Sequence, residues 1–327
     1  MKALVVGGNG FIGSHLVDRL AACGWDVVVY DLWERRYDPL PDSVQYIRGD
    51  LSQMYLVQEA LTGVDVVFHL AWNTIHEVSN RDPEADILSN LVPSVQLMDA
   101  CRQAGVGRFV FLSSGGTVYG PAETIPIRET APQNPINAYG ITKLAVEKYL
   151  QLYHHLYDMD YVILRPSVPF GPRQNPLGKQ GVIPVFLYHV ANNLPVTIWG
   201  DGKVTRDYFF ISDLVEAIQT AAIQELHQQR IFNIGGGKEI SLLQILEMVE
   251  MTVEKKATVE FQPSRNFDAP RICLDIEQAK AALGWTPGVP LLEGLAKTWT
   301  WISSKDFENT IFTPIKNVRV NANIARS

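Results

Sequence analysis

Two groups of side chains have the types and spacing for acid–base chemistry, and they lie one loop apart. The first is Ser113-Ser114-Gly115-Gly116-Thr117, which follows the apolar run Phe109-Val110-Phe111-Leu112. The second is Tyr139-Gly140-Ile141-Thr142-Lys143. Positions i and i+4 share a helix face one turn apart, so a helix starting near 139 presents the Tyr139 phenol and the Lys143 ammonium to one pocket. A cation beside a phenol favours the phenolate and draws its pKa down from about 10, which makes Tyr139 a candidate general base and acid. The same pair also suits an amphipathic helix with a half-buried tyrosine and a solvated lysine. The choice depends on what the remaining chain supplies for an activated tyrosine to act with.

Ala3-Leu4-Val5-Val6 is expected as a strand, Gly7-Gly8-Asn9-Gly10-Phe11-Ile12-Gly13 as a glycine turn, and residues 14–23 as a helix. Gly7, Gly10 and Gly13 let the backbone turn tightly and approach a pyrophosphate, with Phe11 and Ile12 at the positive helix N-terminus. A second strand over 26–30 ends in Asp31, placed to hydrogen-bond the adenosine ribose. A carboxylate there repels a 2′-phosphate, so NAD is the expected cofactor, although the nearby Arg35 and Arg36 act in the opposite sense. Strands at 44–47 and 64–71 carry Asp50, Leu51, Leu70, Ala71 and Trp72 to the strand ends where such sheets hold ligands, and Ser113 reaches the same edge. Packing is the competing role for these residues, and His69 is expected as a core histidine.

At 327 residues, 46% hydrophobic and 19% charged, the chain has globular composition and room for one large or two closely joined domains. A net charge of −7 argues against nucleic acid as a partner. Cys23, Cys101 and Cys273 lie far apart with no C-x-x-C, as in a reducing compartment, and without H-E-x-x-H no metal site is expected. No run reaches about 18 apolar residues, so no membrane span is expected and the cytoplasm is the expected location. Helical periods at 83–104 and 139–158 alternate with strands at 108–112 and 161–164, which implies an α/β fold with a doubly wound parallel sheet. After Pro166 the elements shorten. Residues 1–165 are therefore read as a cofactor domain, to which 208–236 returns, and 166–327 as a smaller substrate domain with an extension at 305–327. Ser212 is read as a helix cap, and the Pro-rich loop 121–135 as a cover to the pocket.

With the glycine turn, Asp31, the hydroxyl-rich strand end and Tyr139/Lys143 in this order, residues 1–300 resemble the extended short-chain dehydrogenase/reductase family. They are most similar to its nucleotide-sugar epimerases, such as those acting on UDP-glucose and UDP-N-acetylglucosamine. The resemblance implies a Rossmann domain with a C-terminal nucleotide-sugar-binding domain and NAD held by Gly7, Gly10, Gly13 and Asp31. It makes Tyr139 the catalytic base and acid, with Lys143 binding the nicotinamide ribose while lowering the Tyr139 pKa. It also assigns Arg206, in Arg206-Asp207-Tyr208, to the nucleotide diphosphate, and Arg265 and Asp268, in an Arg-x-x-Asp pattern, to the diphosphate and ribose. These arginines oppose the acidic net charge locally.

Two positions depart from the family pattern. Its catalytic hydroxyl falls on Gly115, so Ser114 or Thr117 has to donate instead, and a substrate-binding Asn is replaced by Val168. The 4,6-dehydratases of the family carry a carboxylate pair where this chain has Gly116-Thr117, which disfavours dehydration. The expected activity is epimerisation at C4 of a nucleotide-diphosphate sugar, a UDP-hexose or UDP-N-acetylhexosamine, through a transient 4-keto intermediate. A 4-ketoreductase of a nucleotide-activated 4-keto-6-deoxy sugar, using NADH or NADPH, would employ the same residues. A non-catalytic NAD-binding regulator is the third alternative. A homodimer through the helices at 83–104 and 139–158 is also implied.

Overall fold

A computed structural model describes residues 1–33, 44–74, 76–178, 180–226, 228–265, 269–304 and 307. The first half runs β1 (Lys2–Val6), α1 (Phe11–Ala22), β2 (Asp26–Asp31), β3 (Val44–Arg48), α2 (Met54–Ala60), β4 (Val66–His69), α3 (His76–Arg81) and α4 (Pro83–Asp86). A π-helical turn at Ile87–Leu91 joins α4 to α5 (Val92–Ala104), followed by β5 (Arg108–Leu112), α6 (Ala138–Tyr157) and β6 (Tyr161–Pro166). The second half holds β7 (Val168–Phe170), α7 (Val182–Ala191), β8 (Val196–Trp199), β9 (Thr205–Arg206), β10 (Tyr208–Phe210), α8 (Ile211–Ile223) and β11 (Ile231–Ile234). It ends with β12 (Ile240–Ser241), α9 (Leu242–Val253), β13 (Val259–Gln262), α10 (Glu277–Leu283) and α11 (Leu291–Ile302).

Seven parallel strands form the main sheet in the order β11-β6-β5-β4-β1-β2-β3. The chain moves outward from β1 to β3, then crosses back to lay β4 on the other side of β1. That reversal opens a crevice at the C-terminal ends of β1 and β4, where α/β sheets hold ligands. Side chains alternate faces along each strand. Ala3, Val5, Val27, Val29 and Phe68 pack toward α1 and α8 on one face. Leu4, Val6, Val28, Val67, Phe109 and Phe111 pack toward α2, α5 and α6 on the other. With both faces covered, the strands read as continuous apolar runs. The α1 side of the core continues into α7, α9 and α11 through Phe186, Val249 and Leu295.

Asp82 caps α4, its side chain accepting from Ala85 N at 3.0 Å, and Gly105, at φ 70°, ends α5. The intervening π-turn has a local cause: Pro93 has no N–H and its ring crowds the carbonyl four residues back, at Ser89, inside that turn. Ser212 is not the cap of α8. Phe210, with extended backbone, occupies that position without a side-chain bond, and Ser212 falls in the first turn. Of the 305–327 extension only Phe307 is described, and it packs its ring near Tyr188 and Trp301. No helix among the described residues is long and apolar enough to cross a membrane.

Candidate active site

The glycine turn leads from β1 into α1, and three of its four glycines, Gly7, Gly10 and Gly13, have different duties. Gly7 has φ +85°, and a Cβ there would stand 2.6 Å from Ala71 N. A Cβ on Gly13 would stand 2.1 Å from Gly7 O, so α1 can close on the turn only with glycine at that position. Gly10 meets nothing closer than Gly7 O at 3.4 Å and leaves its face open. It also caps α1 without a side-chain bond, so the first-turn amides, Phe11 and Ile12 among them, lack intrahelical acceptors and suit an anion. The Asp31 carboxylate accepts from Asn9 N at 2.8 Å and Trp33 N at 3.0 Å, tying β2 to the turn. Leu70 N and Ala71 N both donate to Val6 O at 2.9 Å, which seats the end of β4 against Gly7. Asp50 receives Ser52 N on its carboxylate and the Tyr30 hydroxyl on its carbonyl, while Leu51 packs on the core. An open glycine, free helix amides and a carboxylate at the end of β2 fit a dinucleotide.

Tyr139 and Lys143 occupy the first turns of α6, which Asn137 caps by accepting from Gly140 N at 2.8 Å. Lys143 is buried. Its Nζ donates to Leu112 O at 2.8 Å and sits 3.7 Å from the centre of the Trp72 ring, whose plane meets the Tyr139 ring edge-on at 5.7 Å. Burial draws Lys143 down to about 7, with Glu147 and Asp86 opposing the fall. Burial also holds the Tyr139 phenol well above its ordinary value, and the Asp86 carboxylate adds to that. Lys143 commits a proton to Leu112 and its charge to the Trp72 face, so desolvation governs the phenol.

Behind the pair lies a buried polar network that the sequence did not disclose. Ser113 Oγ donates to Glu147 Oε1 at 2.5 Å, and Arg165 grips Glu147 with Nη2 at 2.5 Å and Nε at 3.0 Å. Arg165 Nη1 also donates to Tyr119 Oη at 2.8 Å. The Ser113 hydroxyl is thus committed to Glu147, and its N–H to Leu164 O at 2.8 Å. Gly115 is enforced by packing, since a Cβ there would stand 2.5 Å from Leu274 Cδ1 and 2.8 Å from Arg165 O. Gly116 has no atom within 4 Å of such a Cβ. Ser114 is half-buried and its carbonyl accepts from Thr117 N and Val118 N; Thr117 is buried, with Oγ1 at a long 3.4 Å from that same carbonyl. His69 Nε2 lies 2.7 Å from Ser94 Oγ, whereas Nδ1 is buried with no partner among the described residues, so the core role expected of this histidine is only half satisfied.

The C-terminal half reaches this edge through residues 269–275. Leu274 abuts Gly115 and bridges to Ile127 of the 121–135 loop, and Arg271 bridges to Thr205, beside Arg206. Arg206 is half-buried, its Nη1 donating to Thr205 O at 2.8 Å. Arg265 is exposed and lays its guanidinium 4.1 Å over the ring of Trp199, an aromatic platform that sequence reading missed. Val168 is half-buried and pairs with Tyr208, and Asp268 lies outside the described residues.

Residues 3–235 match the NAD dependent epimerase/dehydratase family. The chain is 39% identical over 312 residues to the UDP-glucose 4-epimerase of Mycolicibacterium smegmatis, covering 93% of this chain and 99% of that protein. It is 35% identical over 303 residues to the dTDP-4-dehydro-6-deoxyglucose reductase of Escherichia coli, covering 90% and 95%. Its fold superposes with a TM-score of 0.85 on the crystal structure of the UDP-glucose 4-epimerase of Thermus thermophilus in complex with NAD, at 35% identity, covering 92% of this chain and 98% of that one.

Proposed function

The chain belongs to the NAD dependent epimerase/dehydratase family, and from that premise we propose that it interconverts C4 epimers of a nucleotide-diphosphate sugar, a UDP-hexose or UDP-N-acetylhexosamine. The observation that carries this reading is the meeting of Tyr139, Lys143 and Trp72 at the strand ends beside the glycine turn. NAD, which Gly7, Gly10, Gly13 and Asp31 would hold, would supply the hydride acceptor and donor for sugar C4. Tyr139 takes the C4 hydroxyl proton as the C4 hydride leaves, giving the 4-keto sugar. It returns that proton to the same oxygen when hydride comes back on the other face. Lys143 holds the nicotinamide ribose and keeps a cation beside the reacting oxygen. Ser114 or Thr117 donates to that oxygen, since Gly115 has no room for a side chain.

Residues 1–165 with 208–236 serve the cofactor, and the remaining C-terminal half serves the nucleotide sugar, with Arg206 and Arg265 on the diphosphate. The outward faces of the 83–104 segment and of α6 expose Leu88, Val92, Ile141, Leu152 and Leu156, an apolar surface suited to a homodimer. Proton NMR of the purified protein with UDP-glucose or UDP-N-acetylglucosamine and no added cofactor tests the activity. Appearance of the galacto-configured sugar is expected. Tyr139→Phe is expected to lose nearly all turnover while still binding UDP, and turnover at the unaltered rate would end the assignment.

A second reading, 4-ketoreduction of a nucleotide-activated 4-keto-6-deoxy sugar, is favoured by the Tyr139 phenol being held protonated, the form that donates to a ketone oxygen. The Escherichia coli relative points the same way. Consumption of one NADH or NADPH per sugar would select this reading, because an epimerase consumes none.

A further inference from the structure

Asp86 ends α4 and is fully buried, and its carboxylate joins four parts of the fold. Oδ2 accepts from Thr142 Oγ1 of α6 at 2.6 Å. Oδ1 accepts from Ser79 Oγ of α3 at 2.9 Å and from Asn90 Nδ2 of the π-turn at 3.0 Å, and it also receives the Thr74 hydroxyl from the loop after β4. All these partners are uncharged. Hydrogen bonds donated to both oxygens favour a carboxylate's charged form, and in a medium of low dielectric such a charge has a long reach.

Glu147, the other buried carboxylate near Lys143, differs in kind because the two-point grip of Arg165 neutralises it. Around Asp86 the titratable groups within the fold are Tyr139 and Lys143 of α6, and His69, also close to Lys143, is kept neutral by burial. Glu77 and Arg81 of α3, with Asp82 and Glu84 beside it, are exposed and screened by water. Glu147 raises Lys143 more than Asp86 does, but it is bonded to Arg165, whereas Asp86 is the carboxylate here with no cation bonded to it among the described residues.

We propose that Asp86 is a positioning residue for the Tyr139/Lys143 pair, its carboxylate holding the first turns of α6 through Thr142 and serving as the counter-ion that keeps Lys143 protonated. Its effect on turnover rests on the 4-epimerase reading, whereas its effect on Lys143 does not. The negative charge favours the ammonium and disfavours the phenolate, so it favours Tyr139 taking the C4 hydroxyl proton and holding it while the ketone exists.

The test follows the Cε resonance of Lys143 in 13C-lysine-labelled protein, assigned by its loss in Lys143→Met. In the unaltered protein the midpoint is expected near pH 7. In Asp86→Asn it should fall by about one pH unit, a tenfold loss of proton affinity. The double exchange Asp86→Asn with Asn90→Asp keeps one carboxylate in the same cluster and should restore the midpoint. If Asp86→Asn does not fold, Asp86→Ser removes the same charge with less bulk. An unmoved midpoint in whichever variant folds overturns the proposal. Where the unaltered protein turns over UDP-sugars, the alkaline limb of kcat should shift by the same amount, whereas a merely structural role would lower kcat without moving that limb. Absence of turnover in the unaltered protein would defeat the epimerase reading and leave the Lys143 titration to decide on Asp86.

Discussion

At the scale of single residues, two neighbouring glycines face opposite constraints. Gly115 stands where the family carries a catalytic hydroxyl, yet a Cβ there would meet Leu274 at 2.5 Å and a backbone oxygen of Arg165 at 2.8 Å. Gly115→Ser should therefore lose about 1–3 kcal/mol in urea unfolding. Gly116→Ala, with no atom within 4 Å, should unfold at or above the unaltered midpoint, because it also removes freedom from the unfolded chain. Equal losses at both positions would contradict this account. The duties of Gly7 and Gly13 were legible in the sequence because a glycine turn between a strand and a helix has few geometries. The barrier at Gly115 was not, since Leu274 lies far along the chain. For the same reason Lys143 could be placed on the face of Tyr139, but its commitment to Leu112 O and the Trp72 ring could not be seen.

Among the elements, α6 and β6 are locked by the Glu147–Arg165 pair, with side chains at 0% and 1% exposure. Breaking one partner leaves a buried charge without compensation. Glu147→Gln is expected to cost about 3–5 kcal/mol, and the double change Glu147→Met with Arg165→Met clearly less, since it removes both charges together. Chemical denaturation of the three proteins checks the order, and a double variant as unstable as the single one would show that the pair contributes more than mutual neutralisation. Ser113 takes its hydroxyl into this lock, so the strand end bearing the candidate site is held from behind. Most elements were legible from apolar runs and turn residues; the strands at 108–112 and 161–166 fall on the apolar runs that marked them. Ser212 misled because a hydroxyl next to an Asp resembles a cap, whereas the extended backbone at Phe210 decides where α8 begins. The π-turn before Pro93 was hidden because helical periodicity continues through it.

Across the whole molecule, alternating strands and helices disclosed the doubly wound class, but not which strands are neighbours. The reversal that sets β4 beside β1 depends on how α2 and α5 cover one face, a packing outcome with no local mark in the sequence. That reversal buries His69 beside Lys143, with Nδ1 unpaired among the described residues, and burial lowers its pKa to about 3. Well above pH 6.5 the histidine is neutral in both folded and unfolded states and contributes nothing to pH dependence. Below that value the unfolded chain takes up a proton that the folded protein refuses, so stability falls progressively toward about pH 3. By about pH 5 the loss amounts to about 2 kcal/mol. Asp207 acts in the opposite sense: burial raises it to about 6, so the folded protein gains a proton first as the pH falls below that. Lys143, lowered to about 7, has largely finished titrating by then. Because these groups overlap, the His69 contribution is isolated by difference. The stability lost between about pH 7.5 and about pH 5 in urea melts should shrink by about 2 kcal/mol in His69→Gln. An unchanged loss in that variant would mean that the folded protein protonates His69, which its burial beside Lys143 opposes.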